Sequence, residues 1–521
     1  MAKYTLLTGS TGLLGRYLLR DLLLAGKRLA VVVRPSRQQT IQQRIESILQ
    51  FWENDLQMQL SRPVILAGNI TEENLGLDEE SRQWIAEHCD AVIHSAASLT
   101  FLEEADGEPW RTNVGGTHNV LQLCHDTNIR KLHYVSTAYV CGMREDRVYE
   151  SELDCGQAFR NDYEKSKLQA EQLVRGDDFI EELTVYRPAV IAGDSRTGYT
   201  NTYHGLFLYL KIMCILARNT EPDSDGVRRT EVQLHLTGEE QRNVIPVDWA
   251  AAVISHLFCN TEAHGRTFHI APQVRMTPRQ MIEAGCSYFN STGVEFIGHA
   301  EELELSDGEL QRHAYENSTL YRDYEYSDPE FDLTNLEKFA GHLPCPVIDE
   351  AMFHRFMKYG EEDNWGKRRL PEARNPLNVG KLLEKAVRNV PTRQDQPFEN
   401  QHPKQELCLD LTGPGGGQWI ITLKGDQIIA LKPGSNSSSC ATITMPADLL
   451  VALMQKDSSG DLSQGQKLAG PLSTLKAKVS SGVDGSPEQL FIVALGRAVA
   501  DQACDRSDYD LLPRKDQSQP A

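Results

Sequence analysis

The sequence predicts an α/β fold: a doubly wound parallel sheet with a mixed substrate-binding lobe, followed by a C-terminal α+β domain. Three observations carry this reading. Short apolar, often β-branched runs alternate with amphipathic helical segments through residues 3–137. A glycine-rich turn follows the first of those runs. Beyond residue 403 the pattern changes to closely spaced strand-like runs. A chain of 521 residues is also too long for one ordinary core, so more than one domain is expected.

The elements follow in order. "KYTLLT" (3–8) is a short strand ending in glycines. "GLLGRYLLRDLLLAG" (12–26) has helical periodicity and stops at a glycine. "RLAVVVR" (28–34) suits a buried parallel strand. In the helix at 41–57, Ile41, Ile45, Ile48, Trp52 and Leu56 share one face. Strands are expected at 63–68, 90–97 and 131–137, with a helix over 107–127. Residues 200–360 are mixed and complete the first domain, 1–360. Polar, proline-punctuated residues 361–402 form a linker with a short helix at 379–388. Then "ELCLDL", "QWIITLKGDQIIALKPG" and "CATITM" read as strands turning at Gly425-Asp426 and "PGSNSSS". A helix at 446–455 follows, within a domain of residues 403–502, and 503–521 is a polar tail.

The composition narrows the function. A formal net charge of -20 argues against nucleic acid and a basic membrane-surface patch, though not against lipid in an apolar pocket. The eleven cysteines form no CxxC pair and no His/Cys cluster with zinc-ligand spacing, so no metal is expected. Free thiols in a cytoplasmic, reducing setting are the simple reading, since Gly9–Gly12 interrupts the N-terminal apolar run and no signal peptide is expected. The best membrane-span candidate, residues 205–217, is short and has Lys211 in its middle, so no transmembrane segment is expected.

Chemistry is carried first by "TGSTGLLG" (8–15), between a strand and a helix. Gly9, Gly12 and Gly15 let the backbone turn sharply, approach a pyrophosphate and pack helix on sheet. The phosphate charge then meets the helix N-terminus. At the end of the second strand stands Arg34, followed by Ser36 and Arg37, where an NAD-binding chain would carry Asp or Glu. Guanidinium groups suit a 2′-phosphate, so NADP(H) is favoured over a merely solvated basic loop. Further on, "NDYEKSK" (161–167) spaces Tyr163 and Lys167 one helical turn apart. Alone this is either a solvated turn or an active-site turn.

With these residues in view, the chain resembles an extended short-chain dehydrogenase/reductase with a Rossmann core. Its fifth strand ends "YVSTAYV" (134–140), and the resemblance makes Thr137, Tyr163 and Lys167 the catalytic set. "TNVGGT" (112–117) resembles the family's Asn-bearing helix, with Asn113 supporting the lysine through water. The same resemblance implies cofactor contacts from Gly9, Ser10, Thr11, Gly12, Leu13, Gly15, Arg34, Asn69, Ala96 and Lys167. One departure is "GNI" (68–70), where Asn69 replaces the usual Asp near adenine, implying an altered adenine contact. The chemistry agrees: a phenol titrates near pH 10, and a neighbouring lysine beside a nicotinamide cation lowers that value. Thr137 would add a hydrogen bond to a developing oxyanion.

Within that family the chain resembles the thioester reductase and fatty acyl reductase branch, the male-sterility type. The helix at 41–57, "YRPAVIAGDSRTG" (186–198), "NVIPVDWAAAVI" (243–254) and "FHIAPQ" (268–273) carry the likeness over residues 3–360. Bland alternatives are that Pro188 ends a strand and Asp248 caps a helix. The apolar stripe at 203–217 is either core packing or lining for an acyl chain. The tail, through "WIITLKGDQIIALKPG", "CATITMPADLLVALM" and "GQKLAGPLSTLKAKV", resembles a sterol-carrier-type lipid-binding domain. The implied activity is NADPH-dependent reduction of a lipidic acyl thioester, on coenzyme A or an acyl carrier protein, to aldehyde or alcohol. The rivals are a reductase, dehydrogenase or epimerase acting on a lipid ketone, sterol or NDP-sugar, and a lipid-binding or transfer protein with a redox-sensing Rossmann half.

Overall fold

A computed structural model describes residues 3–36, 38–298, 326–367, 379–380, 383, 404–424, 427–434, 441–447 and 450. Strand and helix alternate through β1 (Tyr4–Thr8), α1 (Leu13–Leu24), β2 (Leu29–Val33), α2 (Ile41–Leu56), β3 (Val64–Ala67), α3 (Glu79–His88), β4 (Cys89–His94), α4 (Gly116–Thr127), β5 (Lys131–Val135), α5 (Asp162–Arg175) and β6 (Glu182–Pro188). The chain passes through β7 (Val190–Ala192), α6 (Leu206–Arg218), β8 (Arg228–Leu234), β9 (Val244–Pro246) and α7 (Val247–Cys259) before β10 (Thr267–Ile270).

Seven of these strands form one parallel sheet in the order β10-β6-β5-β4-β1-β2-β3. Every residue of β1 and β2 is buried, as strands covered by helices on both faces require. The order reverses between β1 and β4, and at such a switch point a crevice opens at the carboxyl ends of the strands. That crevice is where Gly9–Gly15, Ser95-Ala96 and Ser136-Thr137 leave their strands.

Local chemistry sets the helix limits. α2 begins in a reciprocal cap, Gln43 N–H donating to Thr40 Oγ1 at 3.2 Å and Thr40 N–H to Gln43 Oε1 at 2.9 Å. It buries Ile45, Ile48, Leu49 and Trp52, with Ile41 and Leu56 packed at the edge of the same cluster. The Trp52 ring meets Tyr17 of α1 edge-on, centroids 4.6 Å apart, and its Nε1–H donates to the Arg16 carbonyl at 3.0 Å. Such a ring pair adds about 1 kcal/mol to the burial of its surface. Ahead of α4 the helix widens into a π-type turn, Arg111–Gly115, which carries Asn113. β5 ends at Val135 rather than 137, and Thr137 instead caps a short 3₁₀ turn, accepting from Tyr139 N–H at 3.3 Å.

A second lobe adds α8 (Pro278–Phe289), β11 (Ser291–Phe296), α9 (Thr334–Ala340) and α10 (Glu350–Glu362). In it Leu206, Phe207, Leu210 and Cys214 of α6 pack with Phe353, Phe356 and Met357 of α10, so this part of the apolar stripe is core. α10 runs past residue 360, and Trp365 beyond it packs on Tyr203, centroids 5.9 Å apart.

The last described unit is a four-stranded sheet, β12 (Lys404–Thr412), β13 (Gly417–Lys424), β14 (Gln427–Pro433) and β15 (Ala441–Pro446), in the order β14-β13-β12-β15. β12 and β15 pair in parallel, the other neighbours antiparallel. The expected strands are present. The Gly425-Asp426 turn, Arg37, residues 465–479, the polar tail and most of the helices expected at 379–388 and 446–455 lie outside the described residues.

Candidate active site

The glycine turn is folded hard against the end of β4. Gly9 has φ +77°, and a Cβ there would stand 2.7 Å from Ala96 N. A Cβ on Gly15 would stand 2.0 Å from the Gly9 carbonyl oxygen. Both positions therefore require glycine. Gly12 N–H donates to the Gly9 carbonyl at 2.9 Å, and Gly12, in extended backbone, immediately precedes α1. The Ser10 hydroxyl is buried and has no partner within the fold. A tight loop at a helix N-terminus with an unspent buried hydroxyl fits a dinucleotide pyrophosphate. Leu13 opens α1 directly behind it.

Thr8 ties this loop to the rest of the crevice. Its Oγ1 accepts from the Ser95 and Ala96 N–H groups at 3.2 and 3.3 Å, so its own hydrogen goes to His94 Nδ1 at 2.8 Å. His94 Nε2–H then donates to Thr117 Oγ1 at 3.2 Å, and Thr117 to the Asn113 carbonyl at 2.6 Å. Burial, aided by the Lys167 charge, pushes His94 down to about 3, so the ring stays neutral in this chain of bonds.

At the end of β2, Arg34 is exposed. Its carbonyl accepts from Arg44 Nη1 at 2.6 Å, and Arg44 Nη2 donates to Thr11 Oγ1 at 3.0 Å. A second guanidinium is thus fixed at the mouth of the loop. Burial and the neighbouring Arg34 charge hold it below its ordinary value. Asn69 is half-buried. Its Oδ1 accepts from Thr71 N–H at 3.3 Å and its Nδ2 donates to Glu72 at 3.2 Å, so the side chain shapes the turn after β3.

Thr137, Tyr163 and Lys167 come together. Asn161 caps α5 by accepting from Glu164 N–H at 3.0 Å, which sets Tyr163 in the first turn. The Tyr163 side chain lies beside Thr137, whose hydroxyl donates to the Pro188 carbonyl at 3.5 Å. Burial pushes the phenol up to about 12, and the nearby Thr137 hydroxyl opposes this. Lys167 is 2% exposed, so the solvated-turn alternative does not hold for it. Its Nζ donates to the Tyr134 hydroxyl at 2.9 Å and to the Val135 carbonyl at 2.8 Å. Burial lowers it to about 7, partly offset by the Glu171 charge. Glu171 is itself clasped by Arg187, Nη2 to Oε1 2.7 Å, with both side chains buried. Asn113 accepts from Ser98 N–H at 2.8 Å and donates to Ser166 Oγ at 3.0 Å. It thereby links the loop after β4 to α5 beside Lys167.

The segments from "GDSRTG" and "VIPVDW" also meet. Asp248 of α7 accepts from Ser195 N–H at 2.9 Å and Ser195 Oγ at 2.6 Å, while Asp194 holds Arg196 and Thr197 N–H at 2.9 and 2.8 Å. Asp248 thus fastens the loop after β7 to α7. Arg44, Tyr134 and the Glu171–Arg187 pair are contributors that the sequence reading missed. Only Glu171 left a local signal, four residues after Lys167.

Comparison with known proteins agrees with this architecture. Residues 7–254 match the NAD-binding family described as male sterility protein. An aldehyde reductase of Aspergillus flavus is 27% identical over 410 residues, which cover 71% of this chain and 37% of that protein. A linear gramicidin synthase of Brevibacillus parabrevis is 26% identical over 374 residues, 68% of this chain and 7% of that protein. This chain therefore spans well under half the length of these relatives. The terminal R domain of the myxalamid PKS-NRPS pathway superposes with a TM-score of 0.57 at 24% identity, covering 71% of this chain and 93% of that one. A thiolation-reductase di-domain of an archaeal non-ribosomal peptide synthetase gives 0.54 at 20% identity, covering 70% and 77%. These two structures share the fold. The match across residues 7–254 lies on the seven-stranded parallel sheet and supports a nicotinamide-binding core in this part of the chain.

Proposed function

We propose that the chain reduces an acyl thioester with NADPH, giving an aldehyde and a free thiol. The observation that carries this reading is the placing of Tyr163 beside Thr137, with a buried Lys167 one helical turn further along α5. Bound NADPH would supply the hydride. The chain's own task is then at the carbonyl oxygen. Thr137 and Tyr163 offer it two hydroxyl donors, and Tyr163 gives up a proton. Burial holds the phenol at about 12, and the role assigned to Lys167, one helical turn further along α5, is to supply a cation that makes Tyr163 a better acid. Asn113, bonded to Ser166, holds the start of α5 in register with β4. Two arginines, Arg34 and Arg44, meet at the end of β2, and guanidinium groups there suit the 2′-phosphate of NADPH better than NADH.

A carrier-bound acyl group, on a carrier protein or coenzyme A, is supported by the names of two relatives, a linear gramicidin synthase and a thiolation-reductase di-domain. Reduction of a free aldehyde is a second reading, favoured by the likeness to an aldehyde reductase. We further assign residues 403–502 to a lipid-binding domain that holds the acyl chain. Its described part is a sheet whose Leu407, Leu409 and Leu411 are buried on one face. A cytoplasmic setting is supported by nine free cysteines among the described residues. No described helix is long and apolar enough to cross a membrane.

The test is NADPH oxidation by the full chain with a long-chain acyl-coenzyme A and an acylated carrier protein, in the presence of a thiol reagent. One thiol per NADPH is the expected result. NADPH loss with a free aldehyde but with neither thioester supports the second reading. NADPH loss with none of them overturns both when the same preparation binds NADPH.

A further inference from the structure

We propose that His133, Glu182 and His264 form a binding site for a divalent metal ion of the zinc class, separate from the Thr137–Tyr163–Lys167 centre. His133 lies in mid-β5, Glu182 begins β6, and His264 sits in the turn leading into β10. The three strands are adjacent in the sheet, so residues distant in sequence meet at its amino-terminal side. One nitrogen or carboxylate oxygen from each lies within 4.8 Å of the others.

The hydrogen-bond accounting around the three residues points to a cation. His133 is fully buried, and its Nδ1 stands 3.0 Å from the Tyr186 hydroxyl, but its Nε2 has no partner. A buried imidazole nitrogen without a partner is a costly arrangement. His264 Nε2 lies 3.0 Å from the Phe258 carbonyl, which only accepts, so this nitrogen carries the hydrogen. In a neutral ring the His264 Nδ1 lone pair then faces Glu182 Oε1 at 2.9 Å, acceptor against acceptor. A metal ion between them removes the conflict and gives His133 Nε2 its missing partner.

The surroundings suit ligation. Metal-bound histidines usually donate their second N–H to a carbonyl or another oxygen, as Phe258 and Tyr186 allow here. The two imidazoles stand edge to face, centroids 4.6 Å apart. Two nitrogens and one carboxylate suit zinc and leave a fourth position for water. The competing cation, Lys131, is 3.6 Å from Glu182 and half exposed, so it can swing into solvent.

The site is tested on the full chain, stripped with chelator and titrated with Co²⁺ alone and then Zn²⁺ alone. One equivalent of Co²⁺ with visible d–d absorption, displaced by Zn²⁺, is expected, and Zn²⁺ should raise Tm. His264→Gln and Glu182→Gln should each weaken binding by about 100-fold or more. His125→Gln, in an exposed pair with Asp177, should leave it unchanged. X-ray absorption of the zinc-loaded wild-type chain should show two imidazoles at about 2.0–2.1 Å, a readout that needs no variant. Absence of stoichiometric metal, undiminished binding by a folded His264→Gln chain, or a zinc shell without imidazole overturns the proposal.

Discussion

The Lys167 ammonium donates to the Tyr134 hydroxyl at 2.9 Å and lies 4.5 Å from the centre of the same ring. Tyr134 thus holds the lysine by both its edge and its face. Tyr134→Phe keeps the ring and deletes the bond. A hydrogen bond to a charged group contributes about 1.5–3 kcal/mol, so turnover is expected to fall by roughly ten- to a hundredfold. Steady-state kinetics with NADPH checks this, and an unchanged kcat/KM would show that Val135 alone positions Lys167.

Tyr163→Phe removes the donor while leaving the Gly9–Gly15 loop, on another element, untouched. Acid catalysis of this kind is worth about 10²–10⁴-fold, and a loss of that size in kcat is expected with little change in NADPH affinity. Nucleotide fluorescence titration beside kinetics separates the two effects. Turnover at the wild-type rate would remove Tyr163 from the mechanism.

Lys167 gives the pH dependence its sign. Burial lowers its value to about 7 from an ordinary 10.5. Below about pH 7 it is charged in both folded and unfolded chains. Between about 7 and 10.5 the unfolded chain keeps a proton that the folded chain releases, so this group makes stability rise with pH across that window. Lys167→Met should flatten that rise in urea melts taken from pH 6 to 10. In wild type, kcat/KM should fall as pH climbs through about 7, because the cation supporting Tyr163 is lost. A flat alkaline limb would show that the charged lysine is not needed.

The parts of this site legible in sequence are those whose chemistry is local. Gly9, Gly12 and Gly15 are readable because strand, turn and helix follow within a few residues. Tyr163 and Lys167 are readable because helical spacing puts them on one face. Asn113 is readable as a helix residue, but the π-type turn that aims it at Ser98 and Ser166 depends on contacts with distant segments. Arg44 reads as one more polar residue of an amphipathic helix, because its target is a loop more than thirty residues earlier. His133, Glu182 and His264 show no ligand spacing because sheet order, not chain order, makes them neighbours.

Arg34 and Arg44 should decide between the two nicotinamide cofactors. Arg34→Ala removes a charge whose backbone stays anchored by Arg44. A charge-assisted bond to phosphate is worth about 1.5–3 kcal/mol, so KM for NADPH should rise by ten- to a hundredfold while KM for NADH changes little. Arg44→Ala should raise both, and NADPH more, because Arg44 also braces Thr11 in the Gly9–Gly15 loop. Equal losses for both cofactors in Arg34→Ala would remove it from 2′-phosphate recognition.

Glu171 and Arg187 form a buried pair behind Lys167, and Arg175 adds a second contact, Nη2 to Glu171 Oε1 at 2.7 Å. The two arginines hold the Glu171 carboxyl below its ordinary value against the push of burial. A buried charge left with no partner costs about 3–5 kcal/mol, but after Arg187→Met the Glu171 carboxylate keeps Arg175. Arg187→Met should therefore lower stability by less than that amount in urea melts. Replacing Glu171 as well, in Glu171→Leu/Arg187→Met, should recover much of it, since no charge is then left buried without a partner. Activity separates the pair's two roles. In the double variant the Glu171 charge that favours protonated Lys167 is gone, so the alkaline limb of kcat/KM should move to lower pH even where stability returns. A double variant restored in stability with an unmoved pH profile would make the pair a structural brace only.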